Sequence, residues 1–237
     1  MKPAVIMMFR DESDILEKCL KHWYNLGIRS FYLCDNASKD DSFYIAETAM
    51  KSFPDLEYWY LCHDSATNWP GREVTNRLIQ KAHEFDCDWM FPADADEFLQ
   101  LPEGFNAVQD WLSSYAVPEN VFQYGELPYL NVLPDGRTNW QQPHRKVFGK
   151  FHFGWKVSMG NHVIENGDGP ELHPLTAHYR HYSLRTYEQF RQKMVNYMTA
   201  FNQTKFTDHP HSQDFHRWKQ QGEQFFVERW EALTKAP

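Results

Sequence analysis

Continuous apolar runs and amphipathic stretches take turns along residues 1–100. "AVIMMF" (4–9) is unbroken and predicts a buried strand. In "DESDILEKCLKHWYNLG", Ile15, Leu16, Cys19, Leu20 and Trp23 recur at helical spacing, and Gly27 supplies the stop. "SFYLC" (30–34), "LEYWYLC" (56–62) and "DWMFPAD" (88–94) predict three more strands. Helices are predicted between them, over Phe43–Phe53 and over residues 72–85. Strands alternating with helices in this way predict an α/β fold, a mostly parallel sheet flanked by helices.

The pattern changes after residue 100. Pro and Gly become frequent, and "NVFQYGEL" and "HRKVFGKF" predict short strands among loops. Helical spacing returns in "LRTYEQFRQKMVNYMTAF", with Tyr187, Phe190, Met194, Tyr197 and Phe201 along one side, and less regularly in "DFHRWKQQGEQFFVERWEAL". No repeat or linker interrupts the chain. The reading is one domain over residues 1–237, with a loop-rich C-terminal half that ends in helices.

Net charge is −8, which argues against a general electrostatic grip on nucleic acid or an anionic surface. The four cysteines form no C-x-x-C pair, and three of them, within or next to apolar segments, read as buried reduced thiols. No signal peptide and no transmembrane segment is evident, so a cytoplasmic protein is expected. The Tyr187–Phe201 stripe would suit peripheral contact with the inner membrane face, although core packing explains the same spacing.

Polar residues gather just past the predicted strand ends, where parallel sheets bind ligands. Arg10, Asp11 and Glu12 follow the first strand, Asp35, Asn36, Ser38 and Asp40 the second, and His63 and Asp64 the third. The fourth delivers Asp94, Asp96 and Glu97 before the chain turns apolar again at Phe98 and Leu99. Carboxylates are costly in apolar surroundings unless something pairs with them. Asp94 and Asp96 suit Mg2+ or Mn2+, and such an ion would neutralise both the acids and a diphosphate. Metal-assisted hydrolysis, a two-carboxylate glycosidase and transfer from a nucleotide-sugar all use such groups. The lysine-bearing phosphate loop and the G-x-G-x-x-G fingerprint are both missing.

"MMFRDESDILEKCLKHWYNLGIRSFYLCDNASKDDS", "DWMFPADADEF" and "HYRHYSLRTYEQFRQKM" together resemble glycosyltransferase family 2 enzymes of the GT-A (Rossmann-like) fold, in a small bacterial subgroup akin to family 92. The likeness covers most of residues 1–100 and a patch around 160–195. It implies a metal-dependent hexosyltransferase. This enzyme would move a sugar from a nucleotide-sugar, UDP-linked, to a glycan or lipid-linked acceptor hydroxyl with inversion, in polysaccharide biosynthesis. Residues 1–100 would bind the donor and residues 101–237 the acceptor.

By that resemblance Phe9, Arg10 and Glu12 line the nucleoside, as does Asp35. Asp94 and Asp96 match the D-x-D motif that holds Mn2+ or Mg2+ on the donor diphosphate, with His162 and His178 as further metal or phosphate ligands. Arg72 and Asn76 fall where the family contacts the donor, and Lys193 matches a lysine of the third block. The sequence departs from the family at Asp11-Glu12, where Asn-Glu is usual. Glu126, Glu165 and Asp168 are the candidates for the general base.

Arg145 or Lys146 is a candidate phosphate ligand, and Trp140 and Trp155 are candidate platforms for an acceptor sugar. His181 reads as a polar corner beside Tyr179 and Tyr182. The alternatives to transfer are a metal-dependent phosphoester or diphosphate hydrolase, and a non-catalytic sugar- or nucleotide-binding module.

Overall fold

The computed structural model describes residues 1–66, 71–115, 123–151, 154–165, 171–172, 176–204 and 212–235. The N-terminal half runs β1 (Pro3–Phe9), α1 (Leu16–Asn25), β2 (Ser30–Asp35), α2 (Ser42–Ser52), β3 (Tyr58–His63), α3 (Gly71–Glu84), β4 (Trp89–Pro92) and β5 (Glu97–Gln100). After α4 (Val108–Ser113) come β6 (Tyr124–Val132) and β7 (Thr138–Lys150), a long hairpin. Four short strands follow: β8 (Lys156–Val157), β9 (Ile164–Glu165), β10 (Glu171–Leu172) and β11 (His178–His181). The chain closes with α5 (Tyr187–Thr204), α6 (Ser212–Gln221) and α7 (Glu223–Lys235).

The main sheet has the order β3-β2-β1-β4-β7-β6-β11-β5, with β10 beside β6. The block β3-β2-β1-β4 is parallel throughout, as the alternating pattern predicts. The β6–β7 hairpin extends it, β7 running antiparallel to β4. β11 pairs parallel to β6 and antiparallel to β5, so the segment after the acids is itself a strand, which the sequence pattern does not announce. β4 ends at Pro92, two residues before the expected limit. Asp94 and Asp96 therefore stand on a tight turn between β4 and β5, closed by the Glu97 N–H donating to the Asp94 carbonyl at 3.2 Å. The predicted final helix is two helices, broken at Gly222, whose φ of +60° favours glycine.

Helix α1 buries Leu16, Cys19, Leu20 and Trp23, the face its spacing predicts. Trp23 is fully buried, with its ring 5.7 Å from Phe91 of β4 and 6.1 Å from Tyr179 of β11. It thus packs against both parts of the sheet that flank the acidic turn. Phe190, Met198, Phe225 and Phe226 form a separate core among the C-terminal helices, so the buried part of the α5 stripe packs internally.

Trp23→Ala removes a fully buried aromatic and should destabilise the protein by about 3–5 kcal/mol. Trp23→Phe should cost less, because it keeps a ring and removes an indole N–H that has no partner among the described residues. Urea unfolding of both variants measures the difference.

Candidate active site

The β4–β5 turn is pinned from below. The Cys19 thiol lies 3.5 Å from the Glu97 carbonyl, and His22 Nε2 is 2.7 Å from the Leu99 carbonyl. These contacts fix the turn to α1. The carboxylates point into a network of cations. Lys146 of β7, with its side chain 1% exposed, places Nζ 2.7 Å from Asp94 Oδ2 and 3.3 Å from Glu97 Oε1. Tyr129 OH donates to Glu97 Oε1 at 2.9 Å, and the Asp94 N–H donates to Glu97 Oε2 at 2.9 Å. On the other side, Lys193 of α5 donates to Asp96 Oδ2 at 2.6 Å and lies 3.6 Å from Glu12 Oε1. Arg185 bonds Glu12 and Asp14 and stands 3.7 Å from Asp96 Oδ2.

Burial would push the Asp96 carboxyl up, but the cations beside it, Lys193 first and Arg185 after it, outweigh this and hold the group well below the usual carboxylate range. Glu97 goes the other way. Burial pushes it up to about 8, Lys146 opposes this, and the neighbouring Asp94 and Asp96 add to the rise. Burial would lower both lysines, yet the carboxylates beside them keep Lys146 and Lys193 firmly protonated.

His181 sits opposite Glu97 in the β11–β5 register. The Asn131 amide nitrogen donates to Asn139 Oδ1 at 3.1 Å, which leaves Asn131 Oδ1 to accept from His181 Nδ1 at 2.9 Å. The proton is then on Nδ1, and the Nε2 lone pair faces Asp96 Oδ1 at 3.7 Å. Burial depresses the His181 pKa, with the Asp96 carboxylate opposing, so the neutral ring is the form present at pH 7. Two lone pairs facing each other call for a cation between them. Asp96, Glu97 and His181 each offer a ligand atom, all within 4.8 Å of one another. This carboxylate–imidazole set fits a divalent ion such as Mn2+.

The turn faces a cavity of about 300 Å3, which Asp94, Asp96, Arg10, Thr75, His162 and Tyr197 help to line. Arg10 is 6% exposed, and its Nε and Nη1 have no hydrogen-bond partner among the described residues. Such a buried cation fits an anionic ligand. At the end of β2, Asp35 Oδ2 accepts from His63 Nδ1 at 2.7 Å, while Asp35 Oδ1 and Asn36 Oδ1 are buried without hydrogen-bond partners among the described residues. Asp11 turns the chain out of β1 at a φ of +53°. It is held there by the Asn196 amide donating to Oδ2 at 2.7 Å and the Lys39 N–H donating to Oδ1 at 2.6 Å.

No protein-family model and no curated protein matches the sequence. Solved structures do. S. aureus TarS 1-349, in complex with UDP, matches with a TM-score of 0.50 at 12% identity, over 98% of this chain and 75% of that one. The fold is that of the GT-A-type glycosyltransferases. The mannosyltransferase PcManGT from Pyrobaculum calidifontis, in complex with GDP-Man and Mn2+, is 19% identical with a TM-score of 0.40. That match covers 52% of this chain and 34% of PcManGT. Glucosyl-3-phosphoglycerate synthase from Mycobacterium tuberculosis, in complex with Mn2+, UDP and glucosyl-3-phosphoglycerate, is 13% identical with a TM-score of 0.35, over 54% of this chain and 44% of that one. The chain spans about a third of PcManGT's length.

Within this GT-A fold the residues expected from sequence do not all meet. Arg10, Glu12, Asp94, Asp96, His162 and Lys193 converge on the cavity. Phe9 is buried in the core instead. Asp35 stands beyond the cavity lining, on His63. Arg72 pairs with Glu165. The Asn76 amide is committed to backbone groups, its Oδ1 accepting from the Val157 N–H at 2.8 Å and its Nδ2 donating to the Val157 carbonyl at 3.0 Å. His178 Nδ1 lies against the Thr176 carbonyl and its ring against Trp140, and His181 takes the place facing Asp96. Glu126 lies 3.9 Å from Arg145, and neither lines the cavity. Asp168 lies outside the described residues. Lys146 reaches the acids rather than open cavity, and Trp155 is a buried core residue, which removes it as an acceptor platform.

Sequence reasoning missed His181, Arg185 and Tyr129. Strand alternation carried a usable signal for His181, because it shares a face with the fully buried Tyr179 two residues earlier.

Lys146→Met should destabilise the ion-free protein by about 3 kcal/mol at neutral pH, because it strands the buried Glu97 carboxyl group and leaves Asp94 without its cation. Glu97 holds its proton in the folded state more tightly than in the unfolded chain. Stability therefore falls as pH rises toward about 8, where the folded group titrates. Without Lys146 the folded pKa climbs further and the fall continues above pH 8. Urea titrations on both sides of that pH should show the variant's deficit widening on the alkaline side.

Proposed function

We propose that the protein transfers a sugar from a nucleotide-sugar to an acceptor hydroxyl, with a divalent ion on the donor diphosphate. The observation that carries this reading is the β4–β5 turn. It sits past the carboxyl end of a parallel sheet, brings Asp96 and Glu97 with His181 of β11 in reach of one ion, and shares its cavity with Arg10, whose Nε and Nη1 have no hydrogen-bond partner among the described residues and whose nearest carboxylate, Asp11, is 3.8 Å away. A GT-A fold with this constellation favours transfer over hydrolysis. The TarS, PcManGT and M. tuberculosis synthase structures hold UDP, GDP-Man with Mn2+, and UDP with Mn2+ respectively, which supports a nucleoside diphosphate donor.

Asp96 and His181 would hold the ion, with the half-exposed Asp94 completing the D-x-D pair beside it. When bound, the ion offsets negative charge on the departing diphosphate. Arg10 contributes fixed positive charge at the same place, already desolvated and therefore strong. Asp35, past the end of β2 and beyond the cavity lining, would face the nucleoside, with its Oδ1 left without a hydrogen-bond partner among the described residues. Lys146 and Lys193 keep the carboxylates ionised and positioned. The acceptor oxygen attacks the anomeric carbon as the bond to the diphosphate breaks, in a single displacement that inverts the centre. The acceptor proton passes to a carboxylate drawn from Glu126, Glu165 and Asp168. Mn2+ suits the imidazole ligand better than Mg2+ does, and UDP is the proposed nucleotide. A cytoplasmic place in polysaccharide assembly is part of the same proposal, and no described helix is long and apolar enough to cross a membrane.

The test is product analysis by mass spectrometry, with a panel of nucleotide-sugars and acceptors in the presence of Mn2+. A glycoside and a free nucleoside diphosphate are expected, and Asp94→Asn or Arg10→Gln should lower the rate by about 100-fold or more. Release of free sugar or sugar phosphate at the same rate with and without acceptor would identify a hydrolase instead.

A further inference from the structure

A second cavity, of about 450 Å3, adjoins the first. The two share His181, Ser183, Lys193 and Tyr197, so one end of the second lies at the metal-ligand end of the first. The larger part of its wall surface is hydrocarbon. Val132 and Leu133 come from the β6–β7 hairpin, Phe190, Met194 and Met198 from α5, and Leu233 from α7. The walls are tied together, since the Arg137 guanidinium at the hairpin donates to the Thr234 carbonyl of α7 at 2.6 Å.

Most of the polar side chains away from the shared end are engaged with one another. Asn131 bonds Asn139 and His181, and Arg229 lies 3.5 Å from Asp214. A pocket for a saccharide needs polar groups aimed at the sugar hydroxyls. Here the polar groups pair across the wall, and the larger part of the remaining surface is aliphatic and aromatic. The volume falls within the range of small-molecule sites.

We infer that this cavity binds the non-reacting part of the acceptor, and that this part is a hydrocarbon chain whose hydroxyl-bearing end reaches His181 and Lys193. The inference rests on the glycosyltransferase reading and narrows its acceptor to an amphiphile. The polar end lies at the shared residues, where the donor's anomeric carbon would be. The chain lies between the hairpin and α5, where burying each methylene is favourable. A purely saccharide acceptor would leave these walls against water.

The test uses n-octyl β-D-glucoside below its micellar concentration, with D-glucose and 1-octanol as comparisons, titrated by calorimetry against the full chain. Octyl glucoside and octanol should bind saturably and at least about tenfold tighter than glucose. Leu133→Arg and Met194→Gln, on opposite walls, should each remove most of that preference while keeping the wild-type stabilisation by nucleoside diphosphate and Mn2+, which shows that the variants are folded. Equal binding of glucose and octyl glucoside, or octyl binding unchanged in both variants, would overturn the inference. A wild-type protein that binds octyl glucoside as described but gives no nucleotide response would leave the pocket standing and defeat the glycosyltransferase reading instead.

Discussion

The burial of carboxylates on the β4–β5 turn is the constraint from which the rest of the structure follows. Asp96 and Glu97 are each 1% exposed, and an isolated ion in that setting would cost several kcal/mol. The protein answers with cations from distant parts of the chain, Lys146 from the hairpin and Arg185 and Lys193 from the C-terminal region. Each pairing joins a late element to the N-terminal sheet. The acids thus organise the C-terminal half around themselves, and the cavity beside the turn is what remains between the joined parts.

The same arrangement separates two electrostatic tasks. Lys146 and Lys193 hold the carboxylates in place and offset their charge. Arg10, with two guanidinium nitrogens free of hydrogen bonds among the described residues, and the His181–Asp96 gap provide positions where charge is still wanted. An anionic donor with its ion would satisfy both. Beyond them the second cavity has no such demand, because its polar groups already pair with each other. One side of the site is built for charge and the other for hydrocarbon, and the two meet at Lys193 and Tyr197.

The parallel half was legible in the sequence because its strands are unbroken apolar runs and its helices carry clean amphipathic spacing, as Leu16, Cys19, Leu20 and Trp23 show. The acids at Asp94 and Asp96 stood out for the same reason, as charges at the end of such a run. The pairing of the cations with them did not. Lys146 looks like one basic residue among several in "PHRKVFGK", and only the β6–β7 and β4–β7 pairings reveal that it points at Asp94. Alternation puts His181 on the face of Tyr179, but its place opposite Glu97 depends on the long-range pairing of β11 with β5, which local periodicity does not encode. Asn76 looked free for a ligand and instead stitches α3 to β8, a contact between residues 81 positions apart.

The most direct measurement is thermal unfolding with UDP, GDP, CDP and TDP, each with and without Mn2+, on the wild-type chain and on His181→Gln. At about 100 times its Kd a bound ligand adds roughly 2.7 kcal/mol of stability. The account predicts a stabilising shift for one nucleotide that requires Mn2+ and is lost when His181 is replaced. Equal shifts with and without Mn2+, or a full Mn2+-dependent shift in the His181 variant, would contradict the assignment of this turn as a metal–diphosphate site.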